Sequence, residues 1–219
     1  YRPRMIKRRP FMYGTLLTIT RKPLEGKLLE VLSRTIEGSK ANGRPNLVTA
    51  TVAAPPPNGV DVIQNLRFES FEEFEKFQDG FLADDSWTAR WDEGASSCHY
   101  VSSDLFEVIR PVEGGSDSST PKFLARTDFV SKPGKRSELI DALIDQREHL
   151  TSGSPKPNVL KPVSSVDRVR ATRAFASYSA LVESLTQLEG PENRSNFGRI
   201  VSLSDQITRS VFRIMYSNY

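Results

Sequence analysis

The chain has 219 residues, 37% of them hydrophobic and 26% charged, with a net charge of +3. That composition can fill a core, which excludes wholesale disorder, and no apolar run reaches the ~18 residues of a membrane-spanning helix. The single cysteine excludes an intramolecular disulfide framework and a thiolate-built zinc site.

Residues 1–10 form a basic arm, with Arg2, Arg4, Lys7, Arg8 and Arg9. Such an arm serves either to hold phosphates or an acidic partner, or simply as a solvated leader before the first strand. Residues 11–20 alternate as a strand does, carry Tyr13 and several threonines, and lack a small-residue cleavage site, so a cytoplasmic protein is expected. The strand ends in Arg21-Lys22-Pro23, and Leu28, Leu29, Leu32 and Ile36 then fall on one helical face. Pro23 is expected in the first turn of that helix, where a missing N–H costs nothing. A strand over 47–52, the turn Pro55-Pro56-Pro57-Asn58-Gly59 and a strand over 60–70 follow. The last of these stops at Ser70, a residue suited to capping a helix that carries Phe71, Phe74 and Phe77. A strand over 104–110 closes the first half.

The second half repeats this order. A strand over 123–130 leads through Lys132-Pro133 into a helix with Leu139, Ile140, Leu143 and Ile144. Residues 158–163 read as a weaker strand, in which Pro162 points to a sheet edge or a bulge. A strand over 169–177 ends at Ser177 before Tyr178, Leu181, Val182 and Leu185, and residues 210–216 form the last strand. The two Lys-Pro pairs lie 110 residues apart; Phe68 to Phe175 and Ser70 to Ser177 are each 107 apart. Offsets this consistent indicate internal repetition. The expected fold is α+β: two tandem ferredoxin-like βαββαβ repeats over residues 11–112 and 122–219, joined by a flexible linker at 113–121. Each sheet with helices on one face leaves the other face bare, so the two sheets pack against each other, and the space between sheet and helices can form an apolar pocket.

With strand, Arg67-Phe68-Glu69-Ser70 and an aromatic helix in this order, the chain resembles the dimeric α/β-barrel superfamily. That superfamily includes antibiotic-biosynthesis monooxygenases, haem-degrading monooxygenases, polyketide cyclases and stress-responsive barrel proteins, with tandem forms such as the chlorite dismutase group. The resemblance implies an α/β barrel acting on small molecules. The strand position often filled by Trp in the monooxygenases is Phe68 here, and neither histidine has the context of an axial haem ligand.

The stretch richest in chemistry is Trp87-Thr88-Ala89-Arg90-Trp91 followed by Cys98-His99-Tyr100. Trp87 and Trp91 share a face if helical, so they can wall an aromatic substrate, with His99 as proton shuttle and Tyr100 beside it. The equivalent region of the second half has Gly198 and Ile200 and no histidine, so the functional pocket is expected in the first half. The alternative is that the tryptophans cap a core and His99 lies on the surface. Arg67, or Arg173 in the second half, is a candidate for holding an enolate or phenolate oxygen; Tyr13 and Phe68 are candidate substrate contacts. His149 is explained by the end of a helix over 137–150, and adjacent Cys98 and His99 point to opposite faces of an extended chain.

These residues fit best an oxygenase acting on a bulky aromatic or polyketide-like substrate in natural-product biosynthesis. Cyclisation or isomerisation of the same substrate class, and a non-catalytic binding or scaffold barrel, are the alternatives. No metal site, phosphate loop or dinucleotide fingerprint is present, so any haem or reduced flavin would be supplied from outside. The expected partner is an apolar or aromatic small molecule, with a homodimer also compatible; a membrane is not expected. Nucleic acid ranks last, because Leu66-Arg67-Phe68-Glu69-Ser70 lacks the aromatic- and glycine-bearing strand of RNA-recognition modules.

Overall fold

A computed structural model describes residues 13–54, 59–113, 120–150 and 155–219. The first half comprises β1 (Thr15–Pro23), α1 (Leu28–Ala41), β2 (Asn46–Ala53), β3 (Val62–Phe68), α2 (Phe71–Leu82), α3 (Asp85–Ser96) and β4 (Cys98–Arg110). The second follows the same order with β5 (Phe123–Ser131), α4 (Arg136–Glu148), β6 (Asn158–Pro162), β7 (Arg168–Phe175), α5 (Tyr178–Glu189), α6 (Pro191–Leu203) and β8 (Ser204–Ser217). The basic arm, the proline-rich turn and most of the expected linker lie outside the described residues. Among the described helices none is long and apolar enough to cross a membrane.

The eight strands close into an antiparallel barrel in the order β1-β3-β2-β8-β5-β7-β6-β4. The α+β expectation of two ferredoxin-like sheets forming one barrel is met, and the sheets are stitched edge to edge at two seams. At one seam Thr51 of β2 pairs with Phe212 of β8; at the other Phe106 of β4 pairs with Pro162 of β6. Because β6 is paired on both sides, Pro162 does not mark an edge; it is the last residue of its strand, where the missing N–H interrupts little. Each half also contains a helix beyond the basic βαββαβ order, α3 and α6.

Alternation along each strand sorts side chains into two layers. Leu16, Phe106, Val108 and Leu160 pack together inside the barrel. Nearby, Arg170 lies 4.4 Å from the Phe106 ring and Arg126 4.9 Å from the Phe212 ring, and Asp128 pairs with both guanidinium groups at 2.6 and 3.1 Å. Burial pulls Arg126 down to about 10, and the neighbouring Arg170 pulls the same way. The opposite layer faces the helices. Leu17, Ile19, Leu66 and Phe68 cluster with Phe74 of α2, and Phe129, Val159 and Val169 cluster with Leu139 and Leu143 of α4.

The helix starts follow the expected chemistry at two places and depart from it at two. Ser70 accepts the Glu73 N–H at 3.2 Å, and Ser177 accepts the Ala180 N–H at 3.1 Å, contributing about 1 kcal/mol each. The Lys-Pro pairs do not open helices. Pro23 ends β1 and Pro133 precedes α4; the backbone N–H groups of Lys27 and Lys135 return to Leu24 and Lys132 in tight turns that delay each helix to Leu28 and Arg136.

Candidate functional site

The chamber of interest lies between the first-half sheet and its three helices, with a volume of about 1290 Å³. Its floor is the helix-facing layer of the sheet: Leu17, Ile19 and Arg21 of β1, Gln64 and Leu66 of β3, and Val101, Ser103 and Leu105 of β4. One wall is a continuous run of rings. Phe77 stands 5.9 Å from Trp87, Trp87 5.4 Å from Phe81, and Phe81 5.8 Å from Trp91, each edge to face. These geometries match the ring quadrupoles and keep the wall rigid. The α2 and α3 helices that carry these rings are joined at Ala83 and Asp84. The Asp84 carboxylate accepts the Ser86 and Trp87 N–H groups at 2.9 and 3.3 Å, which starts α3 abruptly and turns both tryptophans back over the sheet. The corresponding space in the second half, lined among others by Ala125, Phe129, Arg173 and Phe175, holds about 100 Å³.

Arg21 is the charged group of this floor. Its Nη2 donates to Gln64 Oε1 at 3.3 Å, and Gln64 is held in turn by its Nε2 donating to Ser39 Oγ at 2.8 Å. The guanidinium carbon lies 5.5 Å from the centre of the Trp91 ring. Nη1 is sealed from solvent without a hydrogen-bond partner, and burial pulls the group down to about 10. No carboxylate among the described residues forms an ion pair with it. At the rim, Arg34 of α1 pairs with Glu93 of α3 at 3.0 Å.

Of the residues expected at a site, Trp87 and Trp91 line the chamber. Phe68 is fully buried beneath its aromatic wall, 5.3 Å from Phe77, and Arg44 stacks over both rings while pairing with Glu73. The remaining expected contacts lie elsewhere. His99 falls where the β1–β4 register shifts: Lys22 pairs with Tyr100 and Pro23 with Cys98, which leaves His99 as the unpaired residue of a bulge, exposed to solvent. Tyr100 is half exposed on the same strand. Arg67 alternates with Leu66 and Phe68, so it belongs to the layer opposite the helices, and it is exposed at the strand end. Tyr13 is also exposed, with Arg110 5.8 Å from its ring. The proton shuttle and anion holder expected of His99 and Arg67 are therefore not located at the chamber. Arg173 does line the small second-half space, where Nη1 donates to Ser184 Oγ at 2.6 Å. Burial pushes the Cys98 thiol up, Arg21 offsets this in part, and the sulfur donates to Gly94 O, so Cys98 is no ready nucleophile.

Arg21 does carry a signal in the sequence: Leu17, Ile19 and Arg21 alternate on one face, so a cation ends an apolar stripe. The chamber wall does not suit haem, since among its described residues there is no His, Cys, Met or Tyr to occupy an axial position on iron.

The sequence matches no protein-family model and no curated protein. Its structure, however, is similar to several solved ones over nearly the whole chain. An anthrone oxidase-like protein superimposes with a TM-score of 0.67 at 12% identity, covering 94% of this chain and 93% of that one. A protein provisionally named a monooxygenase, from Fusobacterium nucleatum subsp. nucleatum, gives 0.72 at 9% identity over 95% and 96%. A similarly named protein from Lactobacillus acidophilus gives 0.59 at 9% identity over 91% and 93%. At these identities the shared property is the fold, a ferredoxin-like, eight-stranded barrel.

Proposed function

We propose that the first-half chamber binds a bulky, flat, partly aromatic small molecule and that the protein oxygenates it, with residues 11–112 as the working repeat and 122–219 as its support. The observation that carries this reading is the chamber itself: about 1290 Å³ walled by Phe77, Phe81, Trp87 and Trp91, against about 100 Å³ in the second half. A tricyclic ring system fits such a volume and stacks on such a wall. The likeness in fold to an anthrone oxidase-like protein supports the same substrate class, and that to proteins named as monooxygenases supports oxygenation. In the simplest reaction of this kind, a ring CH2 made acidic by a neighbouring carbonyl loses a proton, and the electron-rich anion reacts with dioxygen. A CH2 group and one O2 become a C=O group and one water, so the balance requires no further reductant. An apolar cage contributes by excluding water and holding the anion close to oxygen.

The test is dioxygen uptake with anthrone, followed in an oxygen electrode and by the absorbance of the quinone. The expected result is uptake above the uncatalysed rate, one O2 per quinone. Binding without added uptake would instead favour a non-catalytic ligand-binding barrel. The absence of an imidazole from the described chamber wall is the observation on that side.

A further inference from the structure

The positive charge on the chamber floor points to the chemistry of the ligand. A guanidinium taken out of water without a carboxylate partner is destabilising, and proteins ordinarily neutralise such a group with an acid nearby. Around Arg21 the neighbours are instead an amide, an indole and a thiol: Gln64 Oε1 at 3.3 Å, the Trp91 ring at 5.5 Å, and Cys98, which burial favours in its neutral form. Gln64 cannot rotate away cheaply, because it is 6% exposed and donates to Ser39, which is fully buried. The amide thus fixes one edge of the guanidinium and leaves Nη1 without an acceptor. Acidic residues do occur around the chamber, but Glu93 is paired with Arg34 at the rim and Glu37 lies on α1 among the outer lining residues, and neither forms an ion pair with Arg21. The second half has no counterpart: the residue 110 positions on from Arg21 is Ser131, in keeping with its much smaller space.

We infer that Arg21 is an anion-binding subsite, and that the chamber selects planar aromatic ligands carrying a negatively charged oxygen, a carboxylate or an ionised phenol or enol, one ring's breadth from Trp91. This rests on the reading of the chamber as the ligand site and adds the charge of the ligand to it. Nη1 itself is sealed away from the chamber, so a ligand oxygen meets the guanidinium on the part of it that lines the chamber, and the ligand's ring takes its place beside the indole. A charge-assisted hydrogen bond to a largely buried guanidinium discriminates against a neutral analogue, which leaves the cation unpaired. Trp91 over the guanidinium keeps it flat and oriented before the ligand arrives.

The experiment compares two probes of one shape, anthracene-2-carboxylate and its neutral amide, anthracene-2-carboxamide, titrated by quenching of tryptophan fluorescence. The wild-type protein is expected to bind the carboxylate at least about tenfold more tightly than the amide, the discrimination typical of a buried charged hydrogen bond. Arg21→Met should abolish that preference while keeping affinity for the amide, and Arg21→Lys should restore part of it. Adding 2-anthrol across its own ionisation separates the two sources of the anion: tighter binding of the ionised form shows that a phenolate suffices, and binding of the carboxylate alone restricts the subsite to acids. Equal binding of carboxylate and amide to the wild type would overturn the role of Arg21 and leave the chamber reading intact. Failure of both probes to bind would overturn both readings. Preference retained in Arg21→Met would place the anion site elsewhere, and thermal melting of each variant confirms that it is folded.

Discussion

Arg34 on α1 and Glu93 on α3 meet at 3.0 Å, so an exposed ion pair bridges two helices on either side of the chamber. Helix α3 has no buried residue of its own and rests on ring contacts and on this pair. An exposed pair contributes only about 0.5 kcal/mol to global stability. Glu93→Gln is therefore expected to leave the urea midpoint nearly unchanged while raising amide hydrogen exchange across Asp85–Ser96. Unchanged exchange would show that the rings alone hold α3 down.

His99 sits on a bulge, exposed and away from the chamber. His99→Ala should alter stability by no more than about 0.5 kcal/mol, as surface substitutions do, and leave probe affinity and any oxygen uptake as in the wild type. A substantial loss of turnover with intact folding would return the imidazole to the mechanism.

Gly14 enters β1 with φ of +96°, and a Cβ placed on it would lie 2.3 Å from the Phe68 carbonyl oxygen. That strand cannot retreat, because the Gly14 carbonyl also accepts the Val108 N–H at 3.1 Å. Backbone strain and steric overlap act together, so Gly14→Ala is expected to cost about 3 kcal/mol, read as a lowered urea midpoint. A change below about 1 kcal/mol would mean that the entry to β1 adapts.

Arg147 is 1% exposed and ties three segments together. It donates to Pro157 O at 3.0 Å and to Pro111 O at 2.8 Å, and it pairs with Glu113 and Glu148 at 3.1 and 2.6 Å. Arg147→Met removes the donor from two carbonyls at once and should destabilise by about 3 kcal/mol. Probe binding in the first half should survive in the folded fraction, since none of these contacts touches the chamber.

The fold was legible because its signals are local. Ser70 and Ser177 announce their helices through the N–H groups they cap, and the matched spacing of Phe68 and Phe175 exposes the shared order of the halves. Barrel closure was less visible: Pro162 is compatible with an edge or a bulge, and because seam pairing joins residues far apart, nothing nearby in the chain encodes its partner Phe106. The site was legible in part. The spacing of Trp87 and Trp91 placed both on one helical face. The exposure of His99 was not legible, because a bulge depends on the partner strand and the neighbouring sequence gives no sign of the slipped register. For the arginines, strand parity held the answer. Arg21 shares a face with Leu17 and Ile19, whereas Arg67 stands between Leu66 and Phe68 on the other face.

Both barrel seams join a strand of one half to a strand of the other, β2 to β8 and β4 to β6. The halves cannot swing apart like a clamshell without tearing ladders of main-chain bonds on both flanks. Ligand exchange with the chamber therefore runs past the helices that cover it, while the barrel beneath stays closed.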